Sequence, residues 1–127
     1  MLSVVHENKF DAIFLQTVDD MKKLNTYKEE FSPVITRYAE MRVQLEILMG
    51  RWYEAGCIIT EEYTNKAGAT NNRKTALYQS IEGLRKEIFD MENVLGLTPA
   101  GLKRISGDAV KQTSQPSRLE EALSRFG

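Results

Sequence analysis

The stretch Leu77-Tyr78-Gln79-Ser80-Ile81-Glu82-Gly83-Leu84-Arg85-Lys86-Glu87-Ile88-Phe89-Asp90-Met91-Glu92-Asn93-Val94-Leu95 decides the fold. Its residues Leu77, Ile81, Leu84, Ile88, Met91 and Leu95 step by 4, 3, 4, 3 and 4. A strand would place apolar residues at every second position, whereas this seam follows one face of a helix. Sustained over nearly three heptads, it predicts a helix from about Lys74 to Leu95 packed lengthwise on another helix. Gly96 suits the residue after its last turn. Thr98 then caps a new start with Pro99 at the first helical position, which predicts a short helix through Ile105.

The partner helix lies upstream. Val34, Ile35, Tyr38, Met41, Leu45, Leu48, Met49 and Trp52 form a helical stripe that runs to about Ala55, with Gly56 as its cap. Thr26 and Glu29 make a capping-box pattern, and Ser32-Pro33 is a second start signal. The expectation is one helix from Thr26 with a bend near Pro33; the alternative is a fresh start at Ser32. Between the two long helices, Ile58, Ile59, Thr60, Tyr63 and Thr64 favour extended backbone, and Asn65-Lys66-Ala67-Gly68 reads as a turn. Residues 57–72 are therefore expected to form a short irregular or β-hairpin-like connection. An amphipathic first helix is predicted from about Lys9 to Leu24 by Phe10, Ile13, Phe14, Thr17, Val18, Met21 and Leu24.

The predicted fold class is thus all-α: a hairpin of two long helices, an N-terminal helix and a short C-terminal helix. Its expected organisation is an N-terminal helix over 1–25, a helical-hairpin oligomerisation core over 26–105, and a flexible linker with a partner-binding tail over 106–127. The core and oligomerisation residues are Tyr38, Leu45, Leu48, Trp52, Leu77, Ile81, Leu84, Ile88, Met91 and Leu95. Ser106 to Ser117 is rich in Gly, Ser, Thr and Gln and reads as a tether. Beyond it, Ser117 and Glu120 make a capping box, and Leu119, Ala122, Leu123 and Phe126 share one helical face. Ten such residues cannot bury that face alone, so it is read as a partner-docking helix.

Composition narrows the function. The 127 residues carry 17 Lys and Arg against 18 Asp and Glu, a formal net charge of −1, so bulk charge gives no sign of a nucleic-acid binder. Charge is uneven, however. Residues 1–62 hold 7 basic and 11 acidic side chains, whereas residues 73–104 hold 6 basic and 4 acidic. Eight of the 17 basic residues stand in four doublets: Lys22-Lys23, Arg73-Lys74, Arg85-Lys86 and Lys103-Arg104. Such side chains suit DNA phosphates, and an oligomer would multiply them. The DNA-binding candidates are Lys22, Lys23, Arg73, Lys74, Lys103 and Arg104, with the last pair foremost.

Catalytic readings find little support. With Cys57 the single cysteine and His6 the single histidine, neither an intrachain disulfide nor a Cys/His zinc site can form. One of each, with no acidic residue to orient them, makes no nucleophile–base set. His6 is expected to be an exposed terminal residue and Cys57 a small buried or half-buried one. Gly68-Ala69-Thr70-Asn71-Asn72-Arg73-Lys74-Thr75 has Arg73 where a phosphate loop needs its second glycine. Asp19-Asp20 and Glu61-Glu62 point in divergent directions and read as solvated surface. No catalytic residue, metal or cofactor is expected. There is no apolar run behind a basic start, and no stretch nears the ~20 apolar residues of a membrane span, so a soluble, cytoplasmic chain is expected.

Several segments resemble one lineage of phage terminase small subunits. They are Leu84-Arg85-Lys86-Glu87-Ile88 followed by Leu95-Gly96-Leu97-Thr98-Pro99, preceded by Arg37-Tyr38-Ala39-Glu40, Gly56, Tyr63-Thr64-Asn65 and Gly68. The resemblance spans roughly Tyr27 to Ile105. This chain departs from the lineage's frequent Asn-Pro before the third helix, having Arg73-Lys74-Thr75, and Ala100-Gly101-Leu102 delays the basic pair. The resemblance implies a homo-oligomeric ring of helical hairpins, of about nine subunits. It implies recognition of the packaging start site on viral double-stranded DNA. It also implies recruitment of the terminase large subunit, which holds the ATPase and nuclease, in the cytoplasm of an infected bacterial host. Two other classes remain open: a lower-order helical DNA-binding regulator such as a dimer, and a protein–protein scaffold without a nucleic-acid role.

Overall fold

A computed structural model describes residues 3–107. The element order is helix α1 (Val4–Lys23), a 3-10 turn (Glu29–Phe31), helix α2 (Ser32–Glu54), strands β1 (Thr60–Thr64) and β2 (Thr70–Lys74), and helix α3 (Ala76–Val94). A short helix, α4, follows over 99–107.

Helix α1 begins at Val4, five residues before the expected start at Lys9. The Ser3 hydroxyl accepts from the His6 amide at 3.3 Å and so satisfies one of the first-turn donors. His6 is therefore a half-buried residue of the first turn rather than a loose terminal one. Helix α2 starts afresh at Ser32, with Pro33 in its first turn and a 3-10 turn in front of it, not as a bend in a helix from Thr26. Thr26 instead closes α1, because its amide bonds the Met21 carbonyl at 2.9 Å. Asn25, at φ 59°, sits in the left-handed region between them. Gly56 (φ 92°) and Gly96 (φ 74°) end α2 and α3 in the same way. In each case the next amide reaches back to a carbonyl in the last turn, a Schellman-type stop that any Cβ would strain.

Helix α2 is the centre. It runs antiparallel to α3, as three contacts along its length show. The Tyr38 hydroxyl donates to Glu92 at 2.8 Å, Arg85 reaches the Met49 sulfur at 3.3 Å, and Trp52 lies 5.9 Å from Tyr78. Ile81, Ile88 and Leu95 of the heptad seam are buried, and Leu77, Leu84 and Met91 are half-buried. The other side of α2 meets α1, where Lys9 pairs with Glu46 at 3.1 Å. Ile35, Ala39 and Val43 share that face by four-residue steps and are fully buried. They join Ile13 and Met21 of α1 in one core with Tyr38, Met41, Ile88 and Leu95.

The connection is a regular antiparallel hairpin with Thr60 opposite Lys74 and Thr64 opposite Thr70. Gly68 (φ 86°) turns it, and the Asn65 side chain accepts from the Ala67 and Ala69 amides. Strand β2 extends past the expected connection through Arg73 and takes Lys74 from the expected third helix, which starts at Ala76 behind the Thr75 cap. Cys57 is exposed at φ 60°, not buried, since it is the residue that leaves the α2 stop.

Candidate nucleic-acid interface

Antiparallel helices bring distant doublets to one end. The C-terminal end of α1, the start of α2 and the end of α3 meet at the same pole. Lys22 and Lys23 close α1, where cations are favourable at the negative end of the helix dipole. Lys23 pairs with Asp19 at 3.0 Å, and that hydrogen bond and charge push its pKa up. The Lys22 ammonium lies 5.3 Å from the centre of the Tyr27 ring, leaving its polar end toward solvent.

Helix α4 carries the second doublet to this pole. The Thr98 hydroxyl accepts from the Gly101 amide at 3.0 Å and itself bonds the Asn93 side chain. Gly101 lies flat on the last turn of α3, where an added Cβ would come within 2.9 Å of the Asn93 backbone. Only glycine lets α4 approach so closely. Arg104 completes the contact by donating to the Asn93 carbonyl at 3.1 Å, which also accepts from the Gly96 amide at 3.2 Å. Ile105 packs over Gly96, beside the Thr26 methyl. That fixes α4 next to the end of α1. Lys22, Lys23, Lys103 and Arg104 therefore share one pole, together with the exposed Lys28.

Arg73 and Lys74 lie at the opposite pole, on the hairpin. Arg73 pairs with Glu61 at 3.3 Å and stacks 4.0 Å from the Tyr63 ring centre, and Lys74 pairs with Glu82 at 2.9 Å. Both are half-engaged within the chain. The six sequence-level candidates are thus divided, four at one end and two at the other. The Lys103 side chain enters no hydrogen bond or ion pair among the described residues.

A family model for the small subunit of phage terminase matches residues 11–112, about four-fifths of the 127. The chain belongs to that family. No curated protein and no solved structure matches it. As a phage terminase small subunit, it carries within the matched span the C-terminal two-thirds of α1, the whole α2–α3 hairpin and α4, with all four basic doublets. Among the described residues no group of three or more His, Cys, Asp and Glu could hold a metal. No described helix is long and apolar enough to cross a membrane. The proposed partner face at Leu119, Ala122, Leu123 and Phe126, and the tether from 108 onward, lie outside the described residues; Ser106 and Gly107 belong to α4.

Sequence reasoning missed two parts of this pole. Lys28 went unnoticed because it stands alone rather than in a doublet. Gly101 had been only an interruption before the basic pair, because its neighbour Asn93 is eight residues away and becomes visible only when α4 folds back.

Proposed function

We propose that this chain is the DNA-recognition and regulatory subunit of a phage packaging terminase, and that it meets double-stranded DNA through the pole of Lys22, Lys23, Lys103 and Arg104. The observation that carries this reading is the convergence of two doublets, 80 residues apart in sequence, on one end of the helical layer. Phosphate contacts of this kind give affinity and positioning more than sequence choice. Arg73 and Lys74 take a secondary role at most, since both already answer a carboxylate.

The chain acts as copies in a closed homo-oligomer, which repeats the pole around a ring and strengthens individually weak contacts. It selects the packaging start site and presents the large subunit, which performs ATP hydrolysis and cleavage, to the DNA. Family members are generally the non-catalytic partner, and no catalytic role is assigned to this chain. Leu119, Ala122, Leu123 and Phe126 supply the apolar face that engages the large subunit.

The test is the salt dependence of DNA binding by the full chain. Lys103→Ala removes no intramolecular bond among the described residues, and it should flatten the slope of log K against log salt by about 0.9 for the lost phosphate. Adding Arg104→Ala should weaken binding further and alike across sequences. If the double variant binds as the wild type does at every salt concentration, the pole is not the DNA contact.

A further inference from the structure

We infer that successive copies of this chain join by seating the outward face of α1 from one copy in the α2–α3 groove of the next. This rests on the oligomeric reading above and names the two surfaces that would build it. The first surface is an apolar stripe with no partner inside the chain. Helix α1 buries Ile13, Thr17 and Met21 against α2. Yet Val4, Val5 and Leu15 on its far side are 71%, 61% and 66% exposed. Val5, Ala12 and Leu15 recur at helical spacing, so this half of α1 is apolar on two opposite faces. A helix with a single neighbour needs only one.

The second surface lies across α2. Two adjoining hollows of about 500 and 490 Å³ run between α2 and α3, on the side that α1 does not touch, and share Glu87. Val34, Met41 and Met91 line one, and Leu48, Leu84 and Gly83 the other. Gly83 opens the floor, since an added Cβ would meet nothing within 4 Å. From Val34 to Leu48 the groove is roughly 21 Å long at ~1.5 Å per residue, and the stripe from Val5 to Leu15 needs roughly 15 Å. A helix laid along such a groove buries alternate turns as anchors.

Charge says which flank meets which wall. The α2 wall carries Arg37, and the α3 wall carries Glu87 and Asp90. Along Val5 to Leu15, one flank of the α1 stripe carries Glu7 and Asp11, and the other carries Lys9, which also bridges to Glu46 of its own chain, with Gln16 beyond it. Arg37, Glu7 and Asp11 enter no ion pair among the described residues. Placing the acidic flank on Arg37 sets the cationic flank on Glu87 and Asp90, and the reverse would oppose like charges on both walls. Stripe and groove lie on opposite sides of α2, so the contact is head-to-tail. Each copy then keeps one free surface for the next, and the chain of copies grows until it closes.

Light scattering on full-length protein tests the interface. Leu15→Asp puts a charge on a surface that is solvent-exposed in the single chain, and Gly83→Leu fills open space in a helix that glycine weakens. Both should keep the wild-type far-UV circular dichroism while the assembly falls to single chains. Arg37→Glu should weaken assembly, and adding Asp11→Arg should restore it. In a Cys57→Ser background, Ala12→Cys combined with Gly83→Cys should give an oxidised ladder of dimers, trimers and larger species. An assembled wild type whose mass survives both Leu15→Asp and Gly83→Leu would sink this interface and leave the oligomer standing. A monomeric wild type would sink the oligomer itself. Dissociation by Gly83→Leu without an effect of Leu15→Asp would mean that another segment fills the groove, and would overturn the assignment to α1.

Discussion

Gly101→Ala adds a single methyl group at the point where α4 touches α3. Non-bonded carbons rest about 3.5–4.0 Å apart. The new Cβ would lie 2.9 Å from two Asn93 backbone carbons and closer still to the Asn93 oxygen. Backbone cannot step aside as a side-chain end can, so α4 must lift by well over half an ångström. Overpacking of this kind costs roughly 1–3 kcal/mol. Against it stand the Arg104 bond to Asn93, worth about 0.5–1.5 kcal/mol net, and the half-burial of Leu102 and Ile105, worth roughly 1 kcal/mol each. The two sides are comparable, and a nine-residue helix does not persist without its packing. Opening of α4 should therefore become about 5- to 150-fold more frequent, at 1.4 kcal/mol per tenfold. Hydrogen exchange of the amides at 102–107 reads this directly. Gly50→Ala is the matched control, because its Cβ meets nothing within 4 Å and should stabilise α2 by up to about 1 kcal/mol. Wild-type protection of 102–107 in Gly101→Ala, or a gain in thermal stability like that of Gly50→Ala, would refute the account of how α4 docks.

Tyr38→Phe removes the hydroxyl that bonds Glu92 and the Arg42 contact at 3.4 Å. Burial, then the Glu92 bond, push the Tyr38 pKa up to about 12 from 10.0. The folded value lies above the unfolded one, so this stability is fully present below pH 10 and lost as pH rises through 12. It amounts to about 2–3 kcal/mol at 1.36 kcal/mol per pK unit. Denaturant melts from pH 9 to 12 should fall less steeply in Tyr38→Phe than in the wild type; parallel curves would deny the linkage. At the tail, Leu123→Glu should abolish stimulation of the large subunit's ATPase while leaving native mass and DNA affinity unchanged. Undiminished stimulation would move the docking surface into the helical body.

The α2–α3 hairpin was legible because its apolar periodicity is local: the seam from Leu77 to Leu95 names its own buried face. The stops at Gly56 and Gly96 were legible for the same reason, each being set by one residue's backbone freedom. The double burial of α2 was not. Ala39 and Val43 read as gaps beside the stripe of Val34 to Trp52, and only the arrival of α1 on a second side makes them core. Nor could sequence spacing choose between a bend at Pro33 and a fresh start, because Thr26 satisfies either an N-cap pattern or the end of α1. The doublets were visible as residue types, but their division between two poles depends on helix direction. Tyr38–Glu92, a pair 54 residues apart, carries no local signal at all.

Native mass spectrometry of the full-length chain, at salt low enough to preserve weak contacts, bears most directly on the account. The prediction is one dominant closed species at a whole multiple of 14.5 kDa, several times the mass of a dimer, that shifts further when duplex DNA is added. A dominant species at 14.5 kDa or at twice that value, unchanged by protein concentration or DNA, would contradict it.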